Sequence, residues 1–146
     1  MQDTLPIHFA PLQGYTEAIY RNAHDAFFGG VDTYYTPFVR LEKGNFRRRD
    51  VRGIEPENNG VTHLIPQLIA SSAEKAEVIL SLFIEKGYQE VDINLGCPFP
   101  LLAKRHNGSG ILPYPEEVKA LLSIVTRYPQ ISFSVKMRLG WEQPDE

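Results

Sequence analysis

EVDINLGCPFPLLAKRHNGSG, residues 90–110, opens with Val91, Ile93 and Leu95 alternating against Asp92 and Asn94, then stops at Gly96-Cys97-Pro98. Apolar and polar residues alternating with period two mark a strand, and the glycine and proline end it. Pro98 has no N–H and cannot continue a central ladder, so the only cysteine of the chain is presented in a loop at the C-terminal end of a strand. A lone cysteine is most often a small buried apolar residue. At a strand end of an α/β barrel, however, it stands where the chemistry of that fold is carried.

Working outward from this stretch, Pro115 occupies a favoured first helical position and Glu116 and Glu117 fill the positively polarised first turn. Val118, Leu121, Leu122 and Val125 follow at i, i+3, i+4 and i+7, which predicts one amphipathic helix ending before Pro129. Ile131 to Leu139 is the next strand. By parity, Ser134, Lys136 and Arg138 face one side of it and Val135 and Met137 the other.

Upstream, Ser71 and Glu74 form a capping box for a helix whose buried face is Ala76, Ile79, Leu80 and Phe83 and which Gly87 ends. His63 to Ala70 is the strand before it, with the polar Gln67 set between Pro66 and Leu68. Leu41 to Gly60 has no clean apolar period and is expected to be a long loop or a short irregular helix. Val31 to Val39, interrupted at Pro37, is a strand rich in Val, Thr, Tyr and Phe. Ile7 to Ala10 is the first strand. Thr16 is positioned to cap a helix whose face is Ile19, Tyr20, Ala23 and Phe27 and which Gly29-Gly30 ends.

Strands alternating with amphipathic helices imply βαβ units and a parallel sheet. Five such strands form the N-terminal portion of a (β/α)8 barrel, which needs about 250 residues when closed. The 146 residues are therefore read as a single partial barrel domain, with later strands absent and an open sheet edge through which two copies could pair.

Composition is that of an ordinary globular domain, 42% hydrophobic and 23% charged, with net charge −3. That balance argues against nucleic-acid binding over the whole surface. The charge is uneven: Arg40 to Arg52 holds six basic residues against two acidic ones, and the chain ends on Glu142, Asp145 and Glu146. No apolar run approaches the roughly 18 residues needed to span a bilayer, and the N-terminus lacks a signal pattern, so a cytoplasmic protein without membrane contact is expected. One cysteine forbids an internal disulfide, and His8, His24, His63 and His106 have no metal-ligand spacing, so no metal is expected.

An inward-facing Lys136 is costly unless it meets an anion or electron-rich acceptors, whereas an edge lysine in water costs nothing. The residues alone leave both open. VDINLGCP and SVKMRLGW together, however, closely resemble the two signatures of the tRNA-dihydrouridine synthases, flavin enzymes of the barrel class, and APLQGYTE resembles that family's opening segment with Leu12 where methionine is usual. The resemblance runs along the whole chain. It implies FMN-dependent reduction of specific uridines in tRNA to 5,6-dihydrouridine, with NAD(P)H as reductant. It assigns Cys97 as the residue that protonates the base, Asn94 and Arg138 as substrate-binding, and Pro11, Leu12, Gln67 and Lys136 as flavin-binding. It also implies a C-terminal helical tRNA-binding domain, absent here.

The chemistry needs a hydride at one carbon of the uracil 5,6 double bond and a proton at the other. A thiol of ordinary pKa, about 8.5, is mostly protonated at neutral pH and can act as the acid when no cation drives it to thiolate. Lys104, Arg105 and His106 lie a few residues on. A flipped base could be received by aromatic and Arg groups, and Arg47-Arg48-Arg49 is either a phosphate contact or a solvated charge run. Two other readings stand beside this one. One is a flavin barrel dehydrogenase acting on free pyrimidines. The other is a catalytically inert, self-associating half-barrel.

Overall fold

The computed structural model describes residues 5–144; Asp145 and Glu146 of the acidic end lie outside them. Its elements are β1 (His8–Phe9), α1 (Ala18–Phe27), β2 (Thr33–Tyr35), a hairpin of β3 (Leu41–Glu42) and β4 (Asn45–Phe46), α2 (Arg48–Ile54), β5 (Leu64–Ile65), β6 (Gln67–Leu68), α3 (Ala73–Glu85), β7 (Glu90–Leu95), α4 (Pro100–Ala103), α5 (Pro115–Leu122), α6 (Ile124–Arg127) and β8 (Ser132–Met137). The fold is mixed α/β with parallel sheets. β1, β2 and β5 form one three-stranded parallel sheet and β6, β7 and β8 another, in that order.

The two sheets share one strand. His63 to Ala70 was expected to be continuous, but Pro66 interrupts it, because proline cannot donate to a ladder. β5 pairs with β2 before the proline and β6 with β7 after it. A bridge between Val39 and Leu68 carries strand two past the break, and the Gln67 amide donates to Thr36 Oγ1 at 3.0 Å in place of a ladder bond. The five expected strands are thus present and neighbour one another in chain order.

The core lies between the second sheet and α3, α5 and α6. Ile79, Leu80 and Phe83 of α3, Val91 and Ile93 of β7, and Leu121 and Ile124 pack there, fully buried. α3 presents the face that its spacing predicts, and Gly87, at φ +85°, ends it as expected. Its cap is shifted by one residue: Ser72 Oγ accepts from the Lys75 amide, while Ser71 Oγ accepts from Lys75 Nζ.

Three further expectations are corrected. The helix after Pro115 is not one piece. Ser123 donates its hydroxyl back to the Ala120 carbonyl, which competes with the helical ladder, and Ile124 rather than Val125 takes the buried position. Of the two readings of Leu41 to Gly60 the short helix is the nearer, since the segment holds α2 and a single 3-10 turn over Pro56–Asn58, but neither reading included the β3–β4 hairpin before them.

The third correction concerns α1. Thr16 does not cap it; Glu17 does, without a side-chain bond, and Thr16 Oγ1 instead accepts from the Leu12 amide at 2.8 Å. The helix also turns its polar side inward. Ala18 and Arg21 are buried, whereas Ile19 and Phe27 are each 83% exposed. The Arg21 guanidinium is the reason: it donates to the carbonyls of Thr16 and Gly53 and to Asn59 Oδ1, tying α1 to the end of α2. Burial pulls its pKa down to about 10.

Among the described residues β8 pairs only with β7, and β1 only with β2. Val135 and Met137 on the outer side of β8 are exposed.

Candidate active site

After its first position β7 is buried on both faces along its whole length, as β6 is over its two residues. That is what a central parallel strand requires, and it makes any polar residue in it answerable for a partner. Asp92 and Asn94 are such residues. They do not face water, as period-two alternation alone would suggest.

Their partners come from the neighbouring strands in register. Gln67 of β6 lies beside Asp92, Ser134 of β8 beside Asp92 on the other side, and Lys136 beside Asn94. Gln67, fully buried, donates through Nε2 to Asp92 Oδ2 at 2.6 Å and accepts at Oε1 from Asn94 Nδ2 at 2.8 Å. Ser134 Oγ donates to Asp92 Oδ1 at 2.6 Å. Burial pushes the Asp92 carboxyl above its ordinary value, against the hydrogen bonds from Ser134 and Gln67 and the charge of Lys136. Tyr35 is shifted up as well, by burial first and then by the Asp92 charge.

Asn94 carries the cluster into the turn. Its Oδ1 accepts from the amides of Gly96 at 3.1 Å and Cys97 at 2.9 Å, which bends the chain immediately after the strand. The Cys97 thiol is free and partly buried, and packs against Phe38, Ile69 and Leu102. The Cys97 carbonyl accepts from both the amide and the hydroxyl of Ser109, each at 3.0 Å. The stretch between forms α4 and a 3-10 turn over Gly108–Ile111 and folds back onto the cysteine. Gly110 permits that return, because a β-carbon there would strike the Ala103 backbone.

Gln67, Asn94 and Cys97 are therefore brought into one hydrogen-bonded cluster, with Lys136 adjacent by register and exposed. Arg138 lies just past β8 and is exposed. Pro11 and Leu12 stand apart, beyond β1 at the other end of the strand order. The Leu12 amide is taken by Thr16 Oγ1, and its carbonyl accepts from the amides of Tyr15 and Thr16. Asp92, Ser134 and Thr36 were not among the sequence candidates. The signal that finds Asp92 is its position in a strand flanked by strands on both sides.

The basic run is placed at the start of α2. Arg47 is the capping residue and pairs with Glu42 at 3.9 Å, Arg49 pairs with Glu17 at 3.6 Å, and Arg48 is exposed. Of the histidines, His106 stacks on Tyr114 with ring centroids 4.0 Å apart and contacts Glu117 Oε2 at 2.7 Å. Among the described residues no helix is long and apolar enough to cross a membrane, and no group of three or more His, Cys, Asp or Glu is arranged to hold a metal ion.

A family model described as dihydrouridine synthase matches residues 8–146. A probable tRNA-dihydrouridine synthase 1 of a Synechocystis species is 29% identical over 139 residues, which is 91% of this chain and 37% of that protein. The tRNA-dihydrouridine synthase B of Pasteurella multocida is 23% identical over 94% of this chain and 41% of its own length. That of Klebsiella pneumoniae is 33% identical over 52% of this chain and 24% of its own length. The chain thus spans about two-fifths of the curated relatives that it matches along most of its length.

Proposed function

This chain belongs to the dihydrouridine synthase family, and on that premise we propose that the protein reduces specific uridines in tRNA to 5,6-dihydrouridine, with FMN as cofactor and NAD(P)H as electron donor. The 146 residues then represent the first five strands of a (β/α)8 barrel, whose later strands and a helical tRNA-binding domain would complete the enzyme. The setting is cytoplasmic, where tRNA and nicotinamide donors meet.

The observation that carries the reading is the cluster of Gln67, Asn94 and Cys97 at the C-terminal end of β7. Asn94 has one N–H left after its bond to the buried Gln67, and Lys136 adds an ammonium in the same register. That row of donors fits the carbonyl-bearing edge of a flavin or a uracil. Gln67 and Lys136, with the Pro11–Leu12 segment from the far strand, are the residues that would hold FMN, and the chemistry it supplies when bound is hydride delivery. Asn94 and Arg138 orient the uracil. Cys97 holds the proton for the second ring carbon at Sγ, in a turn that its own amide and carbonyl bonds keep fixed. Phe38, Ile69 and Leu102 keep water from one side of that thiol.

The test is turnover of Cys97→Ala in the full-length enzyme, together with the visible spectrum of the 146-residue chain after FMN addition and desalting. Loss of turnover with retained flavin supports the assignment, and wild-type turnover sinks it. A preference for free pyrimidines over tRNA would move the protein to the dehydrogenase reading.

A second reading is favoured by the exposed apolar residues of α1 and β8, which require cover. It is a homodimer of inert half-barrels through the open strand edges, and a monomer by light scattering at high concentration excludes it.

A further inference from the structure

The hydrogen bonds that lead from Cys97 to Asp92 all run in one direction. The Cys97 amide donates to Asn94, Asn94 Nδ2 donates to Gln67, and Gln67 Nε2 donates to Asp92. The polarity is set at the Cys97 end, where a backbone N–H can only donate, and Asp92 matches it at the other end, its Oδ2 accepting from Gln67. Between such ends the two amides have a single arrangement that leaves nothing opposed. Turning Gln67 over would set its NH2 against that of Asn94 and its oxygen against the Asp92 carboxylate. Turning Asn94 over would set its NH2 against the amides of Gly96 and Cys97.

We propose that Asp92 is a positioning residue: it fixes the amide orientation of Gln67 in agreement with the one that the Gly96 and Cys97 amides impose on Asn94, so that Asn94 Nδ2 keeps one bond to Gln67 and one N–H for the ligand beside Cys97. The inference rests on the functional reading above for the identity of that ligand, but not for the orientation itself. Asp92 is suited to the task in two respects. It is buried and lies between two strands, so it cannot swing away. Its second oxygen is held by the Ser134 hydroxyl, which fixes the plane of the carboxylate.

The isosteric amide separates orientation from charge. In Asp92→Asn the side-chain oxygen can still accept from Gln67 while the NH2 donates to Ser134 Oγ, whose hydroxyl rotates to accept. The fixed polarity at Cys97 selects that orientation. Asp92→Ala removes the anchor and frees Gln67 to rotate.

The experiment has one readout without ligand and one with it. In the ligand-free full chain, the side-chain NH2 resonances of Gln67 and Asn94 are expected to be resolved and widely split in the wild type and in Asp92→Asn, and those of Gln67 to collapse toward the averaged, unbonded pattern in Asp92→Ala while Asn94, held by the Gly96 and Cys97 amides, keeps its orientation. With FMN added to the full-length enzyme, Asp92→Ala is expected to bind the cofactor at least about tenfold more weakly, while Asp92→Asn stays within about threefold of wild type. Unchanged Gln67 NH2 resonances in Asp92→Ala overturn the proposal, and so does an Asp92→Asn variant that loses the split pattern. If the Ala variant does not fold, Asp92→Ser, too short to reach Gln67, takes its place with the same expectation. Wild-type protein that shows the split resonances but binds no FMN would defeat the functional reading and leave the positioning role standing.

Discussion

Gly108 stands so close to Cys97 that a β-carbon on the glycine would lie 2.6 Å from the Cys97 carbonyl oxygen and 2.9 Å from its Cβ. Gly108 also has φ +60°, in the left-handed region. Gly108→Ala is therefore expected to cost about 3 kcal/mol, the sum of a left-handed penalty and overpacking against backbone. Gly44, at φ +80° in the β3–β4 turn, has nothing within 4 Å of its notional β-carbon. Gly44→Ala should cost only about 1 kcal/mol. Urea unfolding of the two variants measures the difference, and equal costs would mean that the Gly108–Cys97 approach is not tight.

The break at Ser123 decides which apolar residue the helix buries. Ile124→Ala is expected to cost about 3 kcal/mol, as for other large-to-small changes at fully buried sites. Val125→Ala, at a largely exposed position, should stay within about 0.5 kcal/mol of wild type. The reverse order in denaturant titrations would restore an unbroken helix.

Arg21 holds three segments through one planar group. Arg21→Lys keeps the charge but cannot reach the Thr16 and Gly53 carbonyls and Asn59 together, so it should lose about 2 kcal/mol or more. A lysine variant with wild-type stability in urea would show that the charge alone suffices.

Burial pushes the Asp50 carboxyl above its ordinary value of 3.8, and Arg47, Arg49 and Arg40 oppose that shift. A raised folded-state pKa means that the native protein keeps this proton longer than the unfolded chain does. Stability from this group is therefore greatest below the unfolded value and is lost as pH rises through the folded one. Asp50→Asn should be more stable than wild type at about pH 7, with the advantage disappearing by about pH 4. Denaturation midpoints at the two pH values read it out. A variant less stable at neutral pH would mean that the arginines outweigh burial.

If the start of α2 touches phosphates, neutralising Arg47, Arg48 and Arg49 together should lower the slope of log affinity against log salt for tRNA by about 2 to 3. Arg48 should account for the largest single change, since Arg47 and Arg49 are engaged with Glu42 and Glu17. An unchanged slope assigns the run to solvent.

Much of this architecture is visible in the residues themselves. The face of α3 and the exact span of β7 follow from apolar spacing because both elements pack against the core along their whole length. α1 does not obey its spacing, since the buried Arg21 overrides the apolar side, and no periodicity registers a guanidinium that finds three acceptors elsewhere in the chain. The β3–β4 hairpin escapes notice because its strands have two residues each, although Lys43 and Gly44, at φ +51° and +80°, are a turn signal. At the site, Asn94, Cys97 and Gln67 stand out by type and position. Asp92 does not, because its importance depends on Gln67 and Ser134, 25 and 42 residues distant along the chain.

Pro66 has a bearing on how the molecule opens. With no amide hydrogen at the point where the two sheets meet, the seam is spanned by the Val39–Leu68 bridge, the Gln67 bond to Thr36, the Thr36 amide's bond to the Ile65 carbonyl and the Asp92 amide's bond to the Pro66 carbonyl. A joint that thin divides cooperativity. The β1, β2 and β5 sheet, whose first strand pairs only with β2 among the described residues, is expected to open as a sub-global unit before β7 and α3, which hold the centre of the core. Backbone hydrogen–deuterium exchange would then sort the amides into two populations on either side of a residue that contributes no signal of its own.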